Sequence, residues 1–583
     1  MYRSLAALLI PLGLALPALA ADTKAGPSPG VPLSFNRLYD YPELVEALKT
    51  LVAAHPDLLS MASLGKSVEG RDLWCVTINN RKTGPDRSKP AMYVDGNIHG
   101  NEVQAAEVSL YLIWYLTENY QKVENLRKLV DEKVFYIIPT VNPDGRAYWF
   151  NGPNTSWTSR SGKSPLDSDG DGLVDEDPFD DLDGDGHITQ MRRRSPNGAY
   201  KALADDPRIM VPVKPGEQGE FDVLDEEGID NDGDGQVNED PPGGYDMNRN
   251  WPADWQPGHV QFGAGDYPLC WPETRAIAQF FLDHPNIAGV QAFHNSGGQI
   301  LRGPGSATRK SHYPAEDDRI AEAIAAVGVK ILPHYRSFVI HRDLYEVHGG
   351  FIGWTYEHLG IFSYTNELWT NAQLLAQSEG SVKPARPAGA TEDPDQLFAS
   401  DRLMFGAQFA PWKSYKHPLY GDIEIGGFIK PSQRLPPPFL LEALCHRNAA
   451  FVVYHADQMP KIAWDEVKAE RIGPDVFAVT ASLTNSRSIP TRSRQASRHR
   501  IGLPDTLSLT GPSLTVAAGG PLLNADTGEV QPVEHNPATL RLEDGVRAGS
   551  PSRVRWFVRG KGEATVTYTS QKGGTLTRVV PLR

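Results

Sequence analysis

The chain has 583 residues, enough for more than one folded unit, and its 40% hydrophobic and 22% charged residues are those of an ordinary globular protein. A net charge of −15 at neutral pH argues against general nucleic-acid binding. Three cysteines, Cys75, Cys270 and Cys445, are too few and odd in number for a disulfide framework, and Cys75, inside the strand-like LWCVTI, reads as a small buried hydrophobe.

In chain order, Arg3, the apolar run LAALLIPLGLALPA and the small residues Ala18-Leu19-Ala20 have the layout of an export signal, residues 1–20. A mature chain starting at Ala21 or Asp22 is expected outside the cytoplasm, secreted or periplasmic, with no membrane span once the signal is removed. A Pro/Gly-containing leader, 21–36, follows. YPELVEALKTLVAAHPDLL has helical spacing, then DLWCVTI, AMYVDG and KVFYIIPTV read as strands, with a helix in EVSLYLIWYLTENY before the last. Strands alternating with helices predict an α/β class: a mixed twisted sheet with helices on both faces.

The pattern breaks over 151–244, rich in Asp, Gly and Pro, which reads as an insertion. It resumes at ETRAIAQFFLDH and runs to AAFVVYHADQ, so that the first domain spans 37–457; 371–400 reads as a surface loop. From 462 to 583 short β-rich segments (VFAVTASLTN, SLTVAAGG, RVRWFVRG, EATVTYTS) alternate with turn residues and predict an all-β sandwich.

The insertion carries a near-repeat, DSDGDGLVDEDP at 167–178 and DNDGDGQVNEDP at 230–241, with a third copy of its core at DLDGDGHIT. Asp-x-Asp-x-Asp-Gly is the first half of a calcium loop, where side-chain oxygens converge on one ion and Gly permits the turn. Three sets fit: Asp167, Asp169, Asp171; Asp181, Asp183, Asp185; and Asp230, Asp232, Asp234. None has the bidentate Glu of an EF-hand, since those places hold Pro178, Arg192 and Pro241; Asp175, Asp177, Glu239 or Asp240 would complete the shells. The alternative is a solvated acidic loop, disfavoured because carboxylates this dense repel one another.

His99 and Glu102, three apart where a strand gives way to a helix, suit one divalent cation, with zinc favoured by nitrogen and oxygen donors. Taken alone the pair is weak, and Glu102 serves equally as a carboxylate in a first helical turn. GVQAFHNSGG adds His294 at a strand end, YTNELW adds Glu367 as a candidate base, and DMNRNW sets Asn248 beside Arg249. Tyr345 precedes a glycine pair in LYEVHGGFIGW. Two His and one Glu leave a fourth zinc position open for water.

On these motifs, with LGKSVEGRDLW and IIPTVNPDGRAYW, the chain over 37–457 resembles the zinc carboxypeptidases of the carboxypeptidase A type, the M14 or funnelin family. The resemblance implies His99, Glu102 and His294 as zinc ligands and Glu367 as general base. It implies Asn248 and Arg249 as the grip on the substrate's terminal carboxylate, and Tyr345 as the tyrosine that closes over it. It also implies an oxyanion-stabilising arginine between the NPDG and Asn-Arg motifs, matched to Arg192 with Arg193 as alternative. Ile352 falls at the floor of the pocket for the C-terminal side chain, so apolar or aromatic termini are expected.

The partners so implied are peptides with a free C-terminal carboxylate. A cell-wall stem-peptide carboxypeptidase or amidase is the second reading, and a calcium-dependent binding protein with an inactive hydrolase core the third. The segment LDGDGHITQMRRR raises one further expectation, that a calcium loop aims Arg192 at the zinc site.

Overall fold

A computed structural model describes residues 30–157, 167, 170, 172–241, 243, 245–375, 388–432 and 434–583. The expected signal at 1–20, most of the leader, Asp169 and Asp171 lie outside the described residues.

The strands of the first unit are β1 (Leu59–Lys66), β2 (Asp72–Ile78), β3 (Ala91–Gly96), β4 (Val134–Ile138), β5 (Gln190–Arg194), β6 (Tyr200–Ala202), β7 (Met210–Pro212), β8 (Phe221–Glu226), β9 (Ile287–Asn295), β10 (Gln299–Arg302), β11 (Arg336–Val339), β12 (Phe362–Leu368), β13 (Phe409–His417) and β14 (Gly421–Phe428). Eight of them form a mixed sheet in the order β1-β2-β4-β3-β9-β12-β10-β11. Its centre is parallel, because β3 pairs in parallel with β4 and β9, and β9 with β12.

Every residue of β3, β4 and β9 is buried, as strands covered on both faces must be. Alternate side chains serve two cores. Met92, Val94, Phe135 and Ile137 join one cluster with helices Gln104–Asn119 and Pro438–Gln458. Ala91, Tyr93, Val134, Tyr136 and Ile138 join the other with helices Pro272–Asp283 and Phe351–Glu357. Each fully buried side chain of this size contributes roughly 1.5–3 kcal/mol by leaving water, so the period-two pattern fixes which face of the sheet each helix covers.

The helix predicted from Tyr41 ends at Ala54, and Leu59, included in that run, begins β1. Asp40 caps it, accepting from Glu43 N at 2.8 Å while Glu43 reaches back to Asp40 N at 3.2 Å.

The insertion is not a self-contained loop. Its strands β5–β8 join β13 and β14, some two hundred residues later, in a six-stranded sheet ordered β13-β14-β5-β8-β6-β7. Part of the stretch expected as a surface loop is helical, Pro394–Leu403, and buries Leu397 and Ala399. Sparse apolar residues concealed these elements: Met191, Ile423 and Ile425 form one small core, and Ile209, Leu397, Phe409 and Phe428 another.

The C-terminal unit contains β15 (Ile462–Gly473), β16 (Val476–Asn485), β17 (Asp505–Thr510), β18 (Thr515–Asn524), β19 (Glu529–Val530), β20 (Thr539–Leu542), β21 (Ser552–Arg559), β22 (Gly562–Ser570) and β23 (Gly574–Leu582). They form sheets ordered β15-β16-β21-β18-β19 and β20-β17-β22-β23, all pairs antiparallel. Between the sheets lie Val479, Leu483, Leu507, Trp556, Val566 and Tyr568, a sandwich core. The unit docks through the short helix Arg494–His499: the Arg494 and Gln495 N–H groups donate to the Asp317 carboxylate at 2.9 Å each. The same carboxylate accepts from the Tyr356 hydroxyl at 2.9 Å, which ties the sandwich to helix Phe351–Glu357.

No helix among the described residues is long and apolar enough to cross a membrane. All three cysteines are free, and Cys75 is buried as expected.

Candidate active site

The carboxyl ends of β3, β9 and β12 lie side by side, the edge where open α/β sheets place their ligands. β9 ends on His294-Asn295 and β12 on Glu367-Leu368, and in register Glu367 faces His294 across the pair. After β3 the chain turns through Gly96 and Asn97 to His99 and Glu102. A Cβ on Gly96 would lie 2.9 Å from the Ala105 carbonyl oxygen, so glycine lets this turn pack against the following helix.

His99, Glu102 and His294 meet with almost no exposure, 3%, 2% and 2% respectively. His99 Nδ1 is 3.0 Å from Glu102 Oε1, His294 Nδ1 is 3.0 Å from Glu102 Oε2, and the two Nδ1 atoms are 3.2 Å apart. Burial alone would raise the Glu102 carboxyl, but the two imidazoles hold it well below the ordinary carboxylate range. Three buried electron-pair donors converging on one point, with candidate ligand atoms within 4.8 Å of one another, fit a divalent cation of zinc's preferences.

The surroundings orient this set. His99 Nε2 lies 3.0 Å from Asp246 Oδ1, the carboxylate–imidazole contact that fixes ring and tautomer in metal sites. Arg146, fully buried, donates to Asn97 Oδ1 (3.1 Å), Val103 O (2.8 Å) and Glu107 Oε1 (2.7 Å), bracing the turn that carries both candidate ligands. Asn142 caps its helix through Gly145 N at 2.7 Å. Arg146 and Asn142 belong to the NPDGR motif, and its role here is to hold the backbone of the 97–107 turn.

A cavity of about 400 Å³ opens beside the triad. It brings together Glu367, Asn248, Arg249, Tyr345 and Ile352 with the three candidate ligands. Asn248 and Arg249 sit on a single 3₁₀ turn, Met247–Arg249, capped by Asp246 Oδ1, which accepts from Asn248 N at 2.8 Å. Asn248 Oδ1 accepts from Phe351 N at 2.9 Å, joining the turn to the helix that carries Ile352. Gly349 has φ +63°, and a Cβ there would lie 2.2 Å from the Arg249 carbonyl oxygen. Only glycine fits, which explains the first of the two glycines after Tyr345. Tyr345 itself is 55% exposed at the cavity mouth.

Arg192, matched by order to the oxyanion arginine, lies elsewhere and is not among the cavity-lining residues. It sits within β5, and its Nε and Nη2 donate to Glu424 Oε2 at 2.7 and 2.6 Å. Its guanidinium stacks 3.9 Å from the Trp412 ring centre and 4.4 Å from that of Phe221. Arg193 pairs with Asp222 at 3.0 Å. The reason is register: β5 is an inner strand of the six-stranded sheet, so its arginines are used up by neighbours on β8 and β14. The expected aiming of Arg192 by the calcium loop therefore has no side chain at the site to carry it.

The cavity contains a different guanidinium. Arg434, 9% exposed, comes from the segment before the helix Pro438–Gln458. Its Nη2 lies 3.3 Å from Glu102 Oε1 and also donates to the Asn295 carbonyl, and its guanidinium lies 4.7 Å from the Trp157 ring centre. Its Nε has no hydrogen-bond partner. Nothing local in KPSQRLPPP signals this; a lone arginine between prolines becomes part of the site only through the return of the chain.

Of the acidic sets, Asp181, Asp183, Asp185 and Asp230, Asp232, Asp234 are each gathered closely enough to hold an ion. Asp181 accepts from Asp185 N (3.1 Å) and Gly186 N (2.9 Å), and Asp230 from Gly233 N (2.6 Å) and Gly235 N (3.1 Å). Lys413 Nζ lies 3.0 Å from Asp183. Asp177 and Asp240, considered as completing ligands, also clasp the two repeats: Asp177 accepts from Asn231 N and Asn238 N at 3.1 and 2.8 Å, and Asp240 from Asp175 N at 3.0 Å.

Residues 461–581 match a family described only as a domain of unknown function, DUF8731. A zinc carboxypeptidase of Saccharothrix mutabilis subsp. capreolus is 33% identical over 117 residues, 20% of this chain and 27% of that protein. Carboxypeptidase D of Rattus norvegicus is 35% identical over 114 residues, 20% of this chain and 8% of that one. The matches thus span well under a third of these relatives' length. The crystal structure of carboxypeptidase A from Helicoverpa armigera is similar at 19% identity, with a TM-score of 0.41 over 75% of this chain and 77% of that one. The family model for zinc carboxypeptidases, Peptidase_M14, matches residues 44–385, more than half of the sequence and all of the His99–Glu102–His294 and Glu367 elements, and the chain belongs to that family.

Proposed function

We propose that the protein is an exported zinc metallocarboxypeptidase that hydrolyses the last peptide bond of peptides ending in an apolar or aromatic residue. The observation that carries this reading is the placement of Glu367 across from His294, in one 400 Å³ cavity with the buried His–Glu–His set and the Asn248-Arg249 turn. Membership of the zinc carboxypeptidase family and the fit of the donor set support zinc as the metal, held by His99, Glu102 and His294. Zinc, when bound, would polarise the scissile carbonyl and lower the pKa of water.

The chain's own residues do the rest. Arg249 and Asn248 grip the terminal carboxylate, where a guanidinium offers paired donors. The terminal side chain enters toward Ile352, 6% exposed and surrounded by apolar neighbours. Glu367 takes the proton of the attacking water and returns it to the leaving amine. Arg434, rather than Arg192, faces the negative charge that develops on the carbonyl oxygen. Tyr345 closes the mouth. Export rests on the layout of residues 1–20. Calcium in the Asp181 and Asp230 loops is supported by carboxylate density and the glycines at positive φ, Gly184, Gly186, Gly233 and Gly235.

The test is release of the C-terminal residue from blocked dipeptides of varied terminus, with and without a zinc chelator. Chelator-sensitive release from phenylalanine-ended substrates, and its loss in Glu367→Gln with zinc retained, are the expected results. Release confined to D-configured or diaminopimelate-like termini would move the substrate class to cell-wall peptides, and no release from any would remove the reading.

A further inference from the structure

A second cavity, about 340 Å³, lies in the seam between the two units and shares no lining residue with the catalytic cavity. The α/β unit contributes Phe281, Leu282, Ile287, Leu359 and Ile361, and the sandwich unit contributes Ile501, Leu503, Arg492 and Lys572. The volume lies at the small-ligand end of the range for binding pockets, ~300–1,000 Å³.

Its polar groups are unbalanced. Arg492, 6% exposed, donates Nη2 to the Ala496 carbonyl at 3.3 Å, and its Nε and Nη1 are buried without an acceptor. Lys572 Nζ reaches only the backbone carbonyls of Leu359 (2.9 Å) and Gly360 (3.4 Å). Burial, with the Arg492 charge beside it, pushes the Lys572 ammonium down to about 7. The one carboxylate in the lining, Asp505, offsets part of both charges, while its Oδ2 accepts from Thr491 Oγ1 at 2.5 Å and Tyr568 OH at 2.7 Å. Arg492 thus keeps two buried N–H groups without an acceptor, and Lys572 bonds only to backbone carbonyls. Leaving buried charged donors unpaired is costly, and an anion relieves both. The apolar walls, with Leu282 and Leu503 63% and 68% exposed, favour a ligand with an apolar body over a strongly hydrated multivalent ion.

We propose that this seam is a second binding site, taking a small monocarboxylate with an apolar group, its carboxylate on Arg492 and Lys572 and its apolar part against Phe281, Leu282 and Leu503. The site is independent of the catalytic reading. A ligand there touches both units at once and couples its occupancy to their docking.

The test is calorimetric titration of the whole protein with 4-phenylbutyrate, and with inorganic phosphate as the anion lacking an apolar group. The wild type is expected to bind 4-phenylbutyrate and to bind phosphate about tenfold more weakly or less, the loss of one well-buried apolar contact. Arg492→Gln is expected to weaken 4-phenylbutyrate about tenfold or more, the loss of a charge-assisted hydrogen bond. Leu503→Asp, at an exposed rim position that the fold does not need, should weaken it similarly. Arg249→Gln, in the catalytic cavity, should leave this affinity unchanged. The proposal is overturned if the wild type does not bind, if phosphate binds equally well, if Leu503→Asp and Arg492→Gln keep wild-type affinity, or if Arg249→Gln abolishes binding and so places the ligand in the catalytic cavity.

Discussion

Asp246 joins the candidate metal site to the Asn248-Arg249 turn proposed to grip the substrate. Its Oδ1 serves both His99 Nε2, at 3.0 Å, and the backbone N–H of Asn248, at 2.8 Å, and its carboxylate lies 3.9 Å from Arg249. Asp246→Asn can keep both contacts but removes the charge that makes His99 a more basic ligand. Asp246→Ala also frees the imidazole ring and uncaps the turn. Partners of this kind contribute roughly 10–100-fold to metal affinity, equivalent to ~1.4–2.7 kcal/mol. The asparagine variant is therefore expected near the lower figure and the alanine variant near the upper one. Competition for zinc against a chromogenic chelator at fixed pH measures both, and steady-state kinetics at saturating zinc isolates the second role. There the alanine variant should raise KM through the Asn248-Arg249 turn while the asparagine variant changes it little. Zinc affinities equal to wild type in both variants would refute the coupling and leave His99 oriented by Glu102 alone.

Four further outcomes are expected. Arg434→Gln should lower kcat by roughly 100-fold, the scale for one lost oxyanion donor, with zinc content retained. Arg192→Gln should lower the melting temperature and leave kcat near wild type, and the reverse pattern would return the role to Arg192. Gly349→Ala forces a side chain into φ +63° and against the Arg249 carbonyl, which costs about 1–3 kcal/mol for the backbone conformation alone; an unchanged denaturation midpoint and KM would contradict the packing described. Glu273, 1% exposed and accepting from Val68 N at 3.1 Å, is pushed up to about 7 by burial. Its folded pKa lies above its unfolded value, so its contribution is present below about 4.5 and is lost as pH rises through about 7. Glu273→Gln should therefore gain stability relative to wild type by about 3 kcal/mol between pH 5 and pH 8, measured by denaturant melts; a pH-independent difference would show that the carboxyl is not buried in its charged form.

Local chemistry determined most of the catalytic framework. The largely apolar runs AMYVDG and VFYII read as strands and are buried along their whole length, and the ends of β3, β9 and β12 lead to or carry His99, Glu102, His294 and Glu367 because parallel strands present their ends at one edge. The Asn-Arg pair and the glycines after Tyr345 were legible as motifs, and the structure supplied the backbone reason for Gly349. What the sequence alone did not determine was long-range pairing. The Asp-rich insertion has too few apolar residues to announce strands, so its joining with β13 and β14 emerged only from the tertiary structure. That sheet draws Arg192 to Glu424, and the returning chain sets Arg434 beside Glu102. Order along the chain is a guide to a side chain's place only where the intervening backbone keeps its course, and here an inserted sheet changed it.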